Sequence, residues 1–342
     1  MEFQIIWFIL WGVLWAVYFM LDGFVLGAGM LYPFLAHSDQ EKSVMIHTVG
    51  PVWDGNEVWL VTAGGATFAA FPTTYALMFS YLYSALLLLL FSLIIRGVSL
   101  EFREKMDGAG WRKGWDTGIF LGSALPALLL GVAFGNIFRG LPMDASGYHG
   151  SLLSLLNPYG LLTGALFVFL FLVHGSIYVC VKTEDDLCRK STALAGRIWF
   201  GLLFIAVAFL IATAFATRLY DNYLSTPVLM IMPLLAVIAL IGIKVFLSKD
   251  KPFMAFASSC VTIVSVVFTG VTGLFPNLIP SSLDPAHSLT IFNSSSSIYT
   301  LKIMTVVALV FVPIVIAYKI WVYRVFRGRV TANTIMKDKQ AY

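Results

Sequence analysis

Long apolar runs recur along the whole chain, separated by short polar stretches. A helix needs about 20 mostly apolar residues to cross the hydrocarbon layer of a bilayer. The pattern predicts nine such helices, at 4–35, 51–71, 72–96, 115–138, 158–181, 194–217, 224–247, 252–275 and 300–323. The second is the weakest because it contains Asp54, Glu57 and many small residues. Its boundary with the third depends on Pro72.

The basic residues test this count and set the orientation, since cytoplasmic loops carry excess Lys and Arg. Nine helices with the N-terminus outside leave only Arg139, Arg218 and Lys302 of the 22 Lys and Arg residues on the outer side. The cytoplasmic side then holds Lys42, Arg96, Arg103, Lys105, Arg112, Lys113, Lys182, Arg189, Lys190, Arg197, Lys244, Lys249, Lys251, Lys319, Arg324, Arg327, Arg329, Lys337 and Lys339. The pattern therefore predicts one integral-membrane domain, residues 1–342, with a cytoplasmic C-terminus.

Composition agrees with a membrane protein. Hydrophobic residues make up 59% of the chain and charged residues 12%, whereas soluble domains have about 45–50% and about 25%. These values exclude a soluble domain, a disordered chain and a nucleic-acid-binding protein. The three cysteines are odd in number and lack a CxxC spacing, which argues against a disulfide framework or a thiolate metal site.

Four acidic residues lie within the predicted helices or at their ends: Asp22, Asp54, Glu57 and Asp116. Carboxylates at membrane depth are costly and usually face a protein interior or a wet path. The topology places all four in the cytoplasmic half, which favours Asp22, Asp54 and Glu57 as relay groups for proton uptake. The structural alternative is capping, hydrogen bonding or, for Glu57, pairing with a cation of this or another subunit. Asp116 is expected to complement a helix dipole.

Histidines and tryptophans are the other candidate site residues. Intramembrane haem usually needs axial His, Met or Cys ligands, and only His174 of the five histidines lies well inside a predicted helix. We therefore expect His174 to be a hydrogen-bonded interior residue and expect no haem or metal ligated by this chain. Trp53 is a candidate contact for a quinone or lipid, although interfacial belts explain most membrane tryptophans.

Small residues recur at the G-x-x-x-G spacing that lets membrane helices approach closely. The pairs are Gly23/Gly27, Gly118/Gly122, Gly131/Gly135 and Gly160/Gly164. One such pair is a weak signal, but four predict a compact bundle.

Residues 50–72, GPVWDGNEVWLVTAGGATFAAFP, resemble the signature of subunit II of cytochrome bd-type quinol oxidases. Further segments agree in the same order: LDGFVLGAGM at 21–30, WRKGWDTGIFLGSALPALLLGVAFGNIFRGLP at 111–142, LNPYGLLTG at 156–164 and FPNLIPSS at 275–282. One departure is Val25, where some members carry a second acid three residues after the aspartate of the DG pair. A role of that acid does not carry over to this chain.

The resemblance implies an all-α polytopic fold with nine transmembrane helices, as two four-helix bundles plus a peripheral helix. It implies a partner, subunit I, that holds two b-type haems and one d-type haem, oxidises quinol near the outer face and reduces dioxygen to water. Subunit II would stabilise that assembly and supply cytoplasmic protons, with Asp54 matching the aspartate assigned to a proton channel at the subunit interface. Some members also hold a structural quinone or pair with small single-helix subunits, and all lie among lipids of a bacterial or archaeal plasma membrane.

Two other functions fit a polytopic chain with intramembrane acids. One is a stand-alone proton-coupled secondary transporter or channel, and the other is a purely structural scaffold. Secondary transporters usually contain inverted repeats with broken helices at matching positions, and the sequence shows no convincing repeat. The oxidase subunit is therefore the favoured hypothesis.

Overall fold

The computed structural model describes residues 1–331, 334 and 335; Lys337 and Lys339, assigned above to the cytoplasmic side, lie outside this part. The described residues form twelve α-helices: α1 (Glu2–Leu35), α2 (Asp39–Val49), α3 (Trp53–Ala70), α4 (Pro72–Tyr81), α5 (Tyr83–Phe102), α6 (Ala109–Arg139), α7 (Pro158–Lys182), α8 (Asp185–Ala216), α9 (Tyr220–Ser225), α10 (Ile231–Ser248), α11 (Pro252–Leu274) and α12 (Ile298–Val325). Two short antiparallel hairpins complete them, β1 (Met143–Asp144) with β2 (Gly147–Tyr148), and β3 (Asn277–Ile279) with β4 (Leu289–Thr290).

The predicted fold class, an all-α polytopic membrane protein, is confirmed. Eight helices in the described residues are long and apolar enough to cross a membrane: α1, α5, α6, α7, α8, α10 with the turn before it, α11 and α12. The predicted second span, α3, is an 18-residue helix that is not among the eight.

Helix α3 nevertheless lies lengthwise and antiparallel against α1. Near its start, Asn56 Nδ2 donates to the carbonyl oxygen of Leu21 at 2.8 Å. Near its end, Thr67 Oγ1 accepts from Trp11 Nε1 at 3.1 Å. Ten residues of α1 separate these contacts, which is about 15 Å of helix at 1.5 Å per residue. Helix α3 therefore covers much of the same depth as the spanning helix α1.

Several predicted boundaries differ from the structure. The predicted third span is two helices, α4 and α5, with a break at Leu82. Helix α6 begins at Ala109, six residues before the predicted start of the fourth span. Helix α2 was not predicted, because its 11 residues include Asp39, Glu41 and Lys42 and are too few to cross a membrane. It begins with a capping box in which Ser38 and Glu41 satisfy each other's backbone N–H groups.

The helices pack as two groups. Helices α1, α3, α5 and α6 form the first bundle, and α7, α8, α10 and α11 form the second. Helix α12 is peripheral, and Leu301 is its only buried residue. The arrangement agrees with the two four-helix bundles and one peripheral helix that the resemblance implies.

Glycines mark the closest helix contacts, as the G-x-x-x-G spacing predicts. The α6 pair and the α7 pair face each other: a Cβ atom on Gly131 would lie 2.7 Å from Cα of Gly164, and one on Gly135 would lie 3.1 Å from Cα of Gly160. Because there is no room for side chains at these points, the two bundles are joined backbone to backbone along α6 and α7.

An aromatic cluster also joins the two bundles. The ring of Phe19 on α1 lies 4.9 Å from that of Phe167 on α7 and 5.4 Å from that of Phe134 on α6. The ring of Trp15 packs edge-on against Phe134 at 5.1 Å. Edge-to-face aromatic pairs of this kind add to the stabilisation that burial gives. The contact between the two bundles, here called the seam, is therefore well packed at this point.

One disulfide is present, which the cysteine count did not predict. Cys180 near the end of α7 is bonded to Cys188 in the first turns of α8, and Cys260 is free. The disulfide closes the short turn between two helices that already pack together.

Candidate functional site

A buried ion-pair cluster connects three helices of the first bundle. Arg96 of α5 donates from Nη2 to both carboxylate oxygens of Asp22 on α1, at 3.1 and 3.0 Å. The same Nη2 also pairs with Oε1 of Glu57 on α3. The side chains of Asp22 and Arg96 are fully buried, whereas that of Glu57 is 25% exposed. A buried carboxylate is tolerated only when it is paired in this way.

The charges of this cluster do not balance. Two carboxylates, Asp22 and Glu57, share one guanidinium, Arg96. With both acids ionised the cluster carries one excess negative charge away from water, and one added proton removes it. Two acids that share a site disfavour joint ionisation. The arrangement is therefore suited to taking up and releasing a single proton.

Asp54 has a different environment from Glu57, although both lie at the start of α3. It is exposed, whereas Glu57 turns toward Arg96. The role of Asp54 and Glu57 as relay groups stays a prediction. Lys319 of α12 lies beside Asp54, with its Nζ directly over Gly55, where a Cβ atom would collide with it.

A second polar network joins α1, α2 and α6 to the end of α5. Asp116 pairs with Lys42 at 2.7 Å and with Arg103 at 2.6 Å, and it accepts a hydrogen bond from Tyr32 Oη at 2.8 Å. It lies well inside α6 rather than in its first turn, so the expected dipole role is wrong. Partial burial acts to raise the pKa of nearby Asp39, but hydrogen bonds from Arg112 and Arg103 outweigh it and hold that pKa below its ordinary value.

The family model described as cytochrome bd terminal oxidase subunit II matches residues 3–326. The chain belongs to this family. It is therefore a subunit of an oxidoreductase complex, and the designation subunit II implies a partner, subunit I.

Individual relatives agree with the family assignment. This subunit II is 39% identical over 328 residues to the cytochrome bd ubiquinol oxidase subunit 2 of Bacillus subtilis, covering 95% of this chain and 96% of the relative. It is 36% identical over 367 residues to the cytochrome bd-I ubiquinol oxidase subunit 2 of Escherichia coli K12, covering 98% and 97%. A chain of the bd oxidase structure from Geobacillus thermodenitrificans shares the fold, with a TM-score of 0.79 at 18% identity over 95% of this chain and 99% of that one.

His174, the candidate interior histidine, is not free to bind a haem. Both ring nitrogens of His174 are engaged: Nε2 donates to the carbonyl oxygen of Met20 at 2.9 Å, and Nδ1 lies 2.7 Å from Ser259 Oγ. The ring also stacks on Phe256 at 4.8 Å. The prediction of a hydrogen-bonded interior histidine is confirmed. Within the described part of the chain, no group of three or more His, Cys, Asp or Glu side chains is placed to hold a metal ion.

Trp53 has a packing role in the structure. Its indole lies 3.0–3.2 Å from the point that a Cβ atom on Gly97 would occupy, so the ring fills the space between α3 and α5. A contact of Trp53 with a quinone or lipid stays a prediction.

Arg96 is the site residue that sequence reasoning assigned wrongly. It was counted as a cytoplasmic loop cation at the end of a predicted span, but α5 continues six residues beyond it and the guanidinium is fully buried. The available signal was its context, LIIRGVSL, in which a charge stands inside an apolar helix. Such residues are usually paired with another intramembrane group.

Proposed function

We propose that this chain is the non-haem-ligating subunit of a complex that oxidises quinol and reduces dioxygen to water in a bacterial or archaeal plasma membrane. It stabilises subunit I, which carries two b-type haems and one d-type haem, and supplies part of the proton path from the cytoplasm. The observation that carries this proposal is the buried cluster of Asp22, Arg96 and Glu57 one helical turn from the exposed Asp54.

The face of α3 that contains Asp54 supports a partner at this position. Val58, Val61 and Phe68 are all more than half exposed, and they follow Asp54 at helical spacing on one side of α3. An acid at the edge of an apolar stripe is costly against lipid, and exposed apolar patches of this kind mark interaction sites. The stripe is therefore suited to contact with subunit I, with Asp54 held at the interface.

The three acids then have separate roles. Asp54 receives a proton from the cytoplasmic side of the interface, and Glu57, which is partly exposed, passes it inward. Asp22 stores the proton in the cluster, while Arg96 holds both carboxylates in place. Trp53, the neighbour of Asp54, is the candidate contact for a quinone or lipid at the same interface.

Replacing Asp54 by asparagine tests the path. We expect quinol-dependent oxygen consumption by the purified complex to fall about tenfold or more, since asparagine keeps the shape but carries no transferable proton. The haem absorption spectrum and the amount of subunit I should be unchanged, because Asp54 pairs with no buried group.

Asp250→Asn is the matched control. Asp250 is an exposed acid at the α10–α11 turn with φ +53°, a conformation that asparagine also adopts readily, so its turnover should equal that of the unmodified complex. Full turnover in Asp54→Asn would exclude the relay role. Loss of haem together with turnover in Asp54→Asn would instead indicate a structural role for Asp54.

A further inference from the structure

Buried polar atoms without hydrogen-bond partners are concentrated in the first bundle. Among the described residues they include Nε and Nη1 of Arg96, Oγ of Ser123, Oη of Tyr18 and Nε1 of Trp15 and Trp59. No side chain of α7, α8, α10 or α11 is in this state within the described part of the chain. Buried polar groups are normally paired with protein or ordered water. The polar atoms of the first bundle therefore have hydrogen-bonding capacity that the described residues do not meet.

The atoms of Arg96 and Ser123 lie where three helices meet. A Cβ atom on Gly122 of α6 would lie 2.6 Å from the backbone nitrogen of Arg96 on α5, and one on Gly29 of α1 would collide with Ser123 Oγ. These close contacts hold α1, α5 and α6 together around the two residues.

A small void lies at this junction. It has a volume of about 10 Å3, and its lining includes Arg96, Ser123, Tyr32, Val25 and Ile119. One water molecule needs about this much space and two to four polar neighbours. The void is too small for a halide or phosphate, and its size suits a single water molecule.

We propose that this void holds one ordered water, which accepts a hydrogen bond from Arg96 and donates one to Ser123 Oγ. The water completes the hydrogen bonding of a guanidinium whose Nη2 is already used by Asp22 and Glu57. It makes Ser123 a positioning residue for the cluster. The water site itself is independent of the proposed function, but its effect on turnover rests on the proton relay.

The void also connects the two polar networks of the bundle. Tyr32 lines it and donates to Asp116 at 2.8 Å, whereas Arg96 lines it and pairs with Asp22. A water between Tyr32 and Arg96 forms a single hydrogen-bonded bridge between the buried cluster and the second polar network, the one around Asp116.

The first test is a high-resolution density map of the assembled two-subunit complex. We expect a solvent peak within hydrogen-bond distance of Ser123 Oγ and of Nε or Nη1 of Arg96. An empty void, or a direct protein partner for these atoms, would overturn the inference. This measurement needs no turnover, so failure of the relay would leave it valid, and its failure would leave the Asp54→Asn test valid.

Two substitutions at Ser123 give the second test. Ser123→Val fills the void, so the solvent peak should disappear and turnover should fall severalfold, with an altered pH profile and unchanged haem content. Ser123→Ala keeps the space and removes one partner, so the peak should weaken and turnover should fall less.

Ser92→Ala is the matched control, because Ser92 is another buried serine of this bundle and its hydroxyl donates only to the Leu88 carbonyl of its own helix. It should keep both the peak and the turnover. A persistent peak in Ser123→Val, or an unchanged pH profile with the peak gone, would contradict the positioning role.

Discussion

Replacing Arg96 by methionine will prevent recovery of a stable, haem-loaded complex. The substitution keeps a long side chain but leaves the carboxylate of Asp22 buried and without its cation, and Glu57 loses the same partner. Removing one member of a buried ion pair costs about 3–5 kcal/mol. Since that is a large share of the stability of an ordinary domain, the yield of the complex from the membrane and its thermal midpoint in detergent should both fall sharply.

A triple variant and a surface control separate the effect of losing the charge from the effect of changing the side chain. Neutralising the acids together with Arg96, as Asp22→Asn and Glu57→Gln in the Arg96→Met background, removes the unpaired charges and should restore assembly without restoring turnover. Arg189→Met is the surface control, because Arg189 is largely exposed and pairs only with exposed Asp186, so assembly should not change. An intact complex with only Arg96 replaced would show that Asp22 is compensated by another group.

The positions of the acids along their helices could be predicted from the sequence, but their partners could not. The apolar runs and the basic loops predict that Asp22 and Glu57 lie toward the cytoplasm, because the depth of a residue depends only on its distance along the helix. That orientation stays a prediction. The pairing with Arg96 depends on how α1, α3 and α5 rotate about their axes. That rotation is fixed by tertiary contacts such as those at Gly29 and Gly122.

Asp116 shows a second limit of reading helices from hydropathy. The apolar run begins near residue 115, which places Asp116 in a first turn, but the helix itself begins at Ala109 in polar sequence. The first turns of α6, which are polar, extend the helix on the N-terminal side of the apolar run. The carboxylate consequently meets Lys42 and Arg103 from other elements, which are distant in sequence and close only in the folded chain.

The glycine pairs were more informative than their weak individual signal suggested. In each G-x-x-x-G pair at least one glycine has backbone of another helix against it, because the absence of a Cβ atom is a local property with a direct packing consequence. Which helix lies opposite was not predictable from the motif. For Gly27 of α1 that helix is α7, so the seam between the bundles passes through a motif also contained in the family-like segment 21–30.

Gly175→Val should have an effect as large as that of Arg96→Met, for a purely steric reason. A Cβ atom at Gly175 would lie 2.5 Å from the backbone nitrogen of Ala28, and one on Gly27 would collide with the backbone of Phe171. Backbone cannot rotate away as a side chain does, so α1 and α7 must separate and lose the contacts along the seam. We expect a loss of about 4 kcal/mol or more, measured as a lower thermal midpoint and lower yield of the complex.

Gly114→Val provides the matched comparison for that steric effect. Gly114 is exposed on α6 and a Cβ atom there would meet nothing within 4 Å, so the same substitution tests helix propensity without the collision. Its thermal midpoint should stay close to that of the unmodified complex, since valine and glycine differ by less than about 1 kcal/mol in a helix. Equal losses in the two variants would mean that the α1–α7 seam does not limit stability. A loss confined to Gly175→Val would show that the two bundles, and with them the cluster on α1, depend on this backbone contact.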